Sequence, residues 1–199
     1  MFLQFLRIFR GLTVVFWYYF CNFAICKLQV IMIEVKIKDS ELALAAGEGT
    51  DSFLNLIIEK TRHAIGGELN ADNMPLMSSK QITLIGYATL RDEVMDGGFV
   101  QLIHNGYGPF FFRNLFDLAV KQWGLDELCR LMRKAKKLYF KYQSTLECEM
   151  TDEEFMAIYE QLPDFEDLDD TFITNEEAWT DMVAHYVDEN LTEFITIEQ

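Results

Sequence analysis

The stretch GGFVQLIHNGYG, residues 97–108, carries four glycines in twelve positions and sets a histidine and an asparagine between them. Glycine-rich segments commonly either cradle a phosphate after a buried strand or end helices. The glycines fall at 97, 98, 106 and 108, which matches neither G-x-G-x-x-G nor a P-loop followed by Lys-Ser/Thr. The residues before this stretch have helical periodicity. The stretch therefore predicts helix boundaries and not a nucleotide site.

One helix is expected before the Gly97-Gly98 pair and a short helix after it. Gly97 is expected to adopt a left-handed conformation that ends one helix, and Asn105 with Gly106 ends the short helix that follows. Phe99 and Ile103 lie on the face of that short helix that is expected to be buried.

Outward from this stretch, apolar residues recur at helical spacing over most of the chain. Besides the short helix after Gly97, helices are expected over about 51–65, 78–97, 110–123, 126–142, 151–162 and 175–194. Only IEVKI at 33–37 and ITIE at 195–198 alternate as strands do, so these termini are expected to pair with each other. The sequence thus predicts an all-α fold, a single compact multi-helix domain of six or seven helices with one minor two-stranded pairing.

The first 31 residues differ from the rest. Residues 12–26 are almost wholly apolar and follow Arg7 and Arg10, as in a signal peptide or anchor. The small-residue cleavage pattern is missing, and the run is shorter than the roughly 20 residues of a membrane span. We expect Met32 to be the true start and residues 32–199 to be the folded domain. A membrane anchor or a cleaved leader are the alternatives for residues 1–31, and a membrane contact is expected only if they are an anchor.

The charge of the chain is concentrated at its carboxyl-terminal end. The 199 residues carry a net charge of −15, yet no Lys or Arg follows Lys141, while 18 acidic residues do. A concentrated field of this kind acts on binding partners more than scattered charge does. The four cysteines form neither a zinc pattern nor a disulfide framework, which is typical of a protein in a reducing cytoplasm.

Two groups of motifs follow one another along the chain. The first is Gly97-Gly98-Phe99-x-Gln101 with Asn105-x-x-Gly108; the second is Asp169-Asp170-x-Phe172, Glu176-Glu177 and Tyr186-Val187-x-x-Asn190. Together, over roughly residues 40–195, they resemble a bacterial DNA-mimic protein family of small acidic helical proteins that share a domain of unknown function. The resemblance implies an all-α fold, a homodimer and, for the family's named member, an acidic surface that occupies the DNA-binding site of a transcription factor.

The acidic residues supply a surface for such a role. On the last helix, the carboxylates are expected opposite an apolar face, and further acids come from the segment before it, which is expected to be a loop. The candidate partner-binding residues are Asp164, Glu166, Asp167, Asp169, Asp170, Glu177, Asp181 and Asp188. The expected partner is a basic DNA-binding protein, such as a transcription factor or nucleoid protein. The alternative is a helical interaction or housekeeping module whose acidity serves only solubility.

A basic stripe on the helix over 126–142 complicates this interpretation. It consists of Arg130, Arg133, Lys134, Lys137 and Lys141. We expect these cations to pair with acids of this chain or of a second copy. Direct binding to nucleic acid is not expected, because the net charge of −15 opposes it.

Catalytic patterns are missing from the sequence. The histidines, His63, His104 and His185, are far apart and form no zinc-binding spacing. The acidic run over 164–170 lacks the glycine and terminal glutamate of an EF-hand. We therefore expect a non-catalytic protein with no cofactor, no metal site and no catalytic residues. An enzyme would need a site assembled by the fold alone.

Overall fold

A computed structural model describes residues 32–148, 151–159 and 161–198 of the chain. The predictions made for residues 1–31 lie outside these described residues. The described α-helices are α1 (Asp39–Glu48), α2 (Thr50–Ile65), α3 (Ser79–Leu102), α4 (Gly108–Arg113), α5 (Phe116–Gln122), α6 (Asp126–Leu146), α7 (Asp152–Tyr159) and α8 (Glu166–Glu189). The strands are β1 (Lys36–Lys38) and β2 (Thr196–Glu198), and the Ile103–Tyr107 segment is π-helical. Single 3-10 turns cover Met74–Leu76, Pro163–Phe165 and Leu191–Glu193.

The all-α prediction is confirmed. The two expected terminal strands pair with each other, in parallel, with Ile37 opposite Ile197. Ile37 is buried while Lys36 and Lys38 are exposed, so the short pair closes one edge of the helical core. The capping box predicted by the spacing of Thr151 and Glu154 is present at the start of α7. A second capping box, formed by Ser78 and Gln81, begins α3.

Several helices differ from the expectation. The single helix expected over 110–123 is divided into α4 and α5, because Asn114 is extended. Helix α1 was missed, and α8 begins at Glu166, although residues 164–170 were expected to form a loop and Asn175 to open the helix. Leu168 and Phe172 are buried and continue the apolar spacing of Trp179 toward the amino end of α8. Acidic residues in a first helical turn also interact favourably with the helix dipole. Core packing and the dipole together extend the helix through the acidic run.

Helix α3 lies at the centre of the core and is kinked at the two glycines of the opening stretch. It packs against α2 and α8, and α8 also packs against α2 and α6. The expectation for Gly97 was wrong: Gly98 is the left-handed residue, with φ 75°, and the chain continues helically to Leu102. The Phe99 N–H freed by the kink donates to Asp169 Oδ1 of α8 at 2.8 Å. The glycine pair is thus helix punctuation, as expected, and it also fixes α8 against α3.

Candidate acidic interface

Five of the eight candidate acids form a straight row along α8, which we call the acidic stripe: Glu166, Asp170, Glu177, Asp181 and Asp188. Glu166, Glu177 and Asp188 are separated by 11 residues each, as are Asp170 and Asp181. Eleven residues make slightly more than three helical turns, so the stripe stays within an arc of about 60° over about 33 Å of helix. All five side chains are exposed.

The opposite side of α8 holds the stripe in place. Trp179, Val183 and Val187 are buried in the core. The buried Tyr87 hydroxyl of α3 lies 2.8 Å from Thr180 Oγ1, and Thr180 in turn donates to Glu176 Oε1 at 2.8 Å. Near the carboxyl end, the Tyr186 ring stacks on Trp123 with 4.7 Å between ring centroids. The helix therefore cannot rotate its acids inward without breaking these contacts.

The stripe is not neutralised within the part of the chain that the structure describes. Ion pairs on or near α8 involve Asp164, Glu176, Glu189 and Glu193, and none involves a stripe residue. Asp167 is exposed too, but it points about 100° away from Glu166 around the helix axis. Six of the eight candidate residues are therefore exposed and form no ion pair with a described residue, and five of these six lie in one row along α8.

Asp164 is already engaged by the basic helix. Its Oδ2 accepts hydrogen bonds from Lys141 Nζ and from the Tyr142 hydroxyl, each at 2.8 Å. These bonds, that of Lys141 first, hold the pKa of Asp164 below its ordinary value. The charge of Asp164 is thus balanced locally by an exposed ion pair, and its assignment as a partner-binding residue stays a prediction.

Asp169 belongs to the fold and not to the surface. Its residue is only 7% exposed, and its carboxylate faces Gly98 and the Phe99 amide. Burial raises the pKa of Asp169 to about 6, and the neighbouring Asp170 and Glu166 add to the rise, while the Phe99 hydrogen bond opposes it. Its assignment as a partner-binding residue was therefore wrong, because sequence spacing could not show that α8 faces the kink at this position.

A second row of acids faces the stripe across a groove. Glu48 and Asp51, at the junction of α1 and α2, line a groove of about 350 Å³ together with Glu177 and Asp181. An adjoining depression of about 360 Å³ has Phe53 and Ala184 among its lining residues, with Asp181, His185 and Asp188 beside them. Arg91 reduces the negative charge here, since its guanidinium lies 3.9 Å from Asp51 and from Glu176. Sequence reasoning missed Glu48 and Asp51, because only the packing of α2 on α8 brings them close.

The basic stripe of α6 is partly neutralised by acids of the same chain, as expected. Arg133 pairs with Asp117 at 2.9 Å, Lys141 with Asp164 at 2.8 Å, and Arg130 with Glu127 at 3.4 Å. Lys134 and Lys137 are exposed and form no ion pair with a described residue.

The histidines and acidic residues that the structure describes do not form a metal-binding cluster. Among residues 32–148, 151–159 and 161–198, no three His, Cys, Asp or Glu side chains are grouped so as to hold a metal ion. His104 stacks on Phe155 with 4.6 Å between ring centroids, and His185 lies 3.3 Å from Glu189. None of the described helices combines the length and apolarity needed to cross a membrane.

Comparison with known proteins decides the family. Residues 76–190, more than half of the chain, match the family described as DMP19-like protein. The chain belongs to the DMP19-like protein family. It is also similar to "DNA mimic protein DMP19" of Neisseria meningitidis serogroup B, at 30% identity over 130 residues. That similarity covers 64% of this chain and 78% of the relative.

The matched range of the DMP19-like family contains the whole acidic stripe and the kinked helix against which α8 packs. Glu48 and Asp51, which form the other side of the groove, lie before the matched range. The stripe is therefore part of the segment shared with the family, and the facing acids belong to the part of this chain outside it.

Proposed function

We propose that this protein is a non-catalytic acidic binding protein that mimics DNA and occupies the DNA-binding surface of a basic protein such as a transcription factor or nucleoid protein. The observation that carries the proposal is the row of five exposed, unpaired carboxylates along α8. The similarity to a relative named as a DNA mimic supports it.

The spacing of the stripe suits a surface that normally contacts phosphates. Neighbouring stripe carboxylates are about 6 Å or about 10 Å apart along the helix axis. Duplex DNA carries a phosphate on each strand every 3.4 Å or so along its axis, so these intervals correspond to about two or three phosphate steps. Cations of the partner that contact phosphates along one face of the duplex would therefore meet a carboxylate at intervals along α8.

The groove beside the stripe supplies shape as well as charge. A partner's Arg or Lys can place its charged end between Glu48, Asp51 and Glu177 while its aliphatic stem packs on Phe53 and Ala184. Such a contact distinguishes a specific binding surface from a merely solvated acidic face, because it requires both rows of acids at once. Long-range attraction from the net charge of −15 would also accelerate association with a basic partner.

Affinity capture with matched variants tests this proposal. Bait protein would be incubated with lysate of the native host at low and raised salt, and the captured proteins identified. We expect wild-type bait to capture a DNA-binding protein that raised salt releases. The double variant Glu177→Lys with Asp181→Lys should lose it. The control, Asp39→Lys with Asp72→Lys, makes the same change of charge at exposed positions away from α8 and should retain it.

Three results would contradict the proposal. Equal capture by both double variants would show that net charge and not the stripe matters, and no capture at either salt would favour acidity that serves solubility alone. A mobility shift of duplex DNA by the purified protein at physiological salt would also contradict it, since a mimic does not bind DNA directly.

We further propose a cytoplasmic homodimer, which follows from the resemblance and the cysteine pattern. Sedimentation equilibrium of the purified protein tests the dimer, with a mass of twice 23.2 kDa expected and a concentration-independent monomer contradicting it.

A further inference from the structure

A cavity on another part of the surface has the character of a small-molecule site. It measures about 530 Å³ and shares no lining residue with the acidic groove. The cavity is lined by the segment before α3, by the middle of α3, by residues 105–107, and by α4 with the residue that follows it. Its volume is within the range of ligand pockets. The lining residues are Leu69, Asn70, Ala71, Met74, Thr89, Asn105, Gly106, Tyr107, Pro109, Phe110 and Asn114.

Thr89 gives the first indication of a ligand. Its residue is only 6% exposed and lines the cavity, yet its hydroxyl makes no hydrogen bond to any residue that the structure describes. The comparable helical threonines, Thr61 and Thr83, donate to the carbonyl four residues earlier at 2.7 and 2.8 Å. The hydroxyl of this nearly buried residue is therefore available for a hydrogen bond to a molecule in the cavity.

Two asparagines at the cavity present acceptors. Asn105 Nδ2 donates to Glu93 Oε2 at 2.7 Å, and Asn114 Nδ2 donates to the Phe110 carbonyl at 3.0 Å. Carboxylate and carbonyl oxygens only accept, so these contacts fix the amide orientations and leave both Oδ1 atoms free as acceptors.

The field at the cavity favours a cation. Burial raises the pKa of Tyr107, and the negative charges of Glu93, Glu68 and Asp92 raise it further. The positive charge of Arg62 lowers it. The phenol therefore sits in a net negative potential, which would stabilise a positively charged donor. The remaining lining is largely apolar, with Leu69, Met74 and Phe110 available for contact with a flat ring.

We propose that this cavity binds a small molecule with a planar apolar body and a cationic, hydrogen-bond-donating head, such as an amidine, guanidine or amine. The head would donate to Thr89 Oγ1 and to the Oδ1 atoms of Asn105 and Asn114, and the body would pack on the apolar lining. This proposal is independent of the acidic stripe.

Three probes of one shape test the class of ligand. Benzamidine is a cation with donors only, benzamide is neutral, and benzoate is an anion with acceptors only. Titration of the purified protein, followed by NMR, should show benzamidine binding in the millimolar range, benzamide more weakly and benzoate not at all. Thr89→Val removes the hydroxyl and keeps the branched shape, and should weaken benzamidine binding about tenfold.

Controls locate the binding. Thr83→Val makes the same change on α3 away from the cavity and should leave benzamidine binding unchanged. Ala71→Phe narrows the mouth at an exposed position and should weaken binding even if Thr89→Val fails to fold. Equal affinity for benzamidine and benzoate, no benzamidine binding, or benzamidine binding insensitive to Ala71→Phe would overturn the proposal. The last result would show that benzamidine binds outside this cavity.

Discussion

Replacing Asp169 by asparagine should stabilise the protein at neutral pH. Its pKa is raised from 3.8 to about 6 in the folded protein, and each pKa unit corresponds to about 1.4 kcal/mol. Ionising Asp169 in the folded state therefore costs about 3 kcal/mol relative to the unfolded chain. Because the pKa is raised in the folded protein, the protonated carboxyl of Asp169 contributes stability that is fully present below pH 3.8 and is lost as the pH rises through about 6. Asparagine keeps an acceptor for the Phe99 amide without this charge.

Urea unfolding followed by circular dichroism at pH 5.0 and 7.5 measures the effect. At pH 7.5 the free energy of unfolding of Asp169→Asn should exceed that of the wild type by up to about 3 kcal/mol, and at pH 5.0 by roughly half as much. An exposed aspartate of the same helical turn is the control: Asp167→Asn should change the difference between the two pH values by less than about 0.5 kcal/mol. If Asp169→Asn were less stable than wild type by the same amount at both pH values, the ionised carboxylate would be stabilising and the reasoning refuted.

Further predictions concern the contacts that orient α8. Gly98→Ala should cost at least about 2 kcal/mol of unfolding free energy, because φ is 75° and a Cβ would overlap Asp169. Gly47→Ala, in α1, should instead raise the free energy of unfolding by about 0.5–1 kcal/mol, because a Cβ at this position meets no other atom. Equal changes in urea unfolding for Gly98→Ala and Gly47→Ala would contradict the account of the kink. Tyr87→Phe should cost about 1 kcal/mol in the same assay by removing the hydrogen bond to Thr180, and an unchanged midpoint would show that this bond does not help to fix the stripe.

Local patterns predicted the parts of the fold that depend on neighbours in sequence. Helix α6 was expected from an uninterrupted apolar repeat, and Thr151 with Glu154 from its capping spacing. The all-α class and the terminal strand pair followed from the same periodicities. The acidic run before Asn175 was mistaken for a loop, because its helical state depends on Leu168 and Phe172 packing into a core built elsewhere.

The candidate site was predictable only in part, for a similar reason. The exposed acids of α8 follow from amphipathic spacing, so Glu177, Asp181 and Asp188 could be named from the sequence. The burial of Asp169 depends on Gly98, some 70 residues earlier, and the facing acids Glu48 and Asp51 depend on how α2 packs on α8. Such long-range pairings leave no trace in local spacing.

Competition with DNA tests the central claim most directly. The DNA-binding protein captured by wild-type bait would be bound to its fluorescent duplex, and the anisotropy followed as this protein is added. Mimicry predicts that the duplex is displaced completely, that more duplex raises the concentration required in proportion, and that Glu177→Lys with Asp181→Lys fails to displace it. A ternary complex that retains the duplex at saturation would contradict the claim that the acidic stripe occupies the DNA-binding surface.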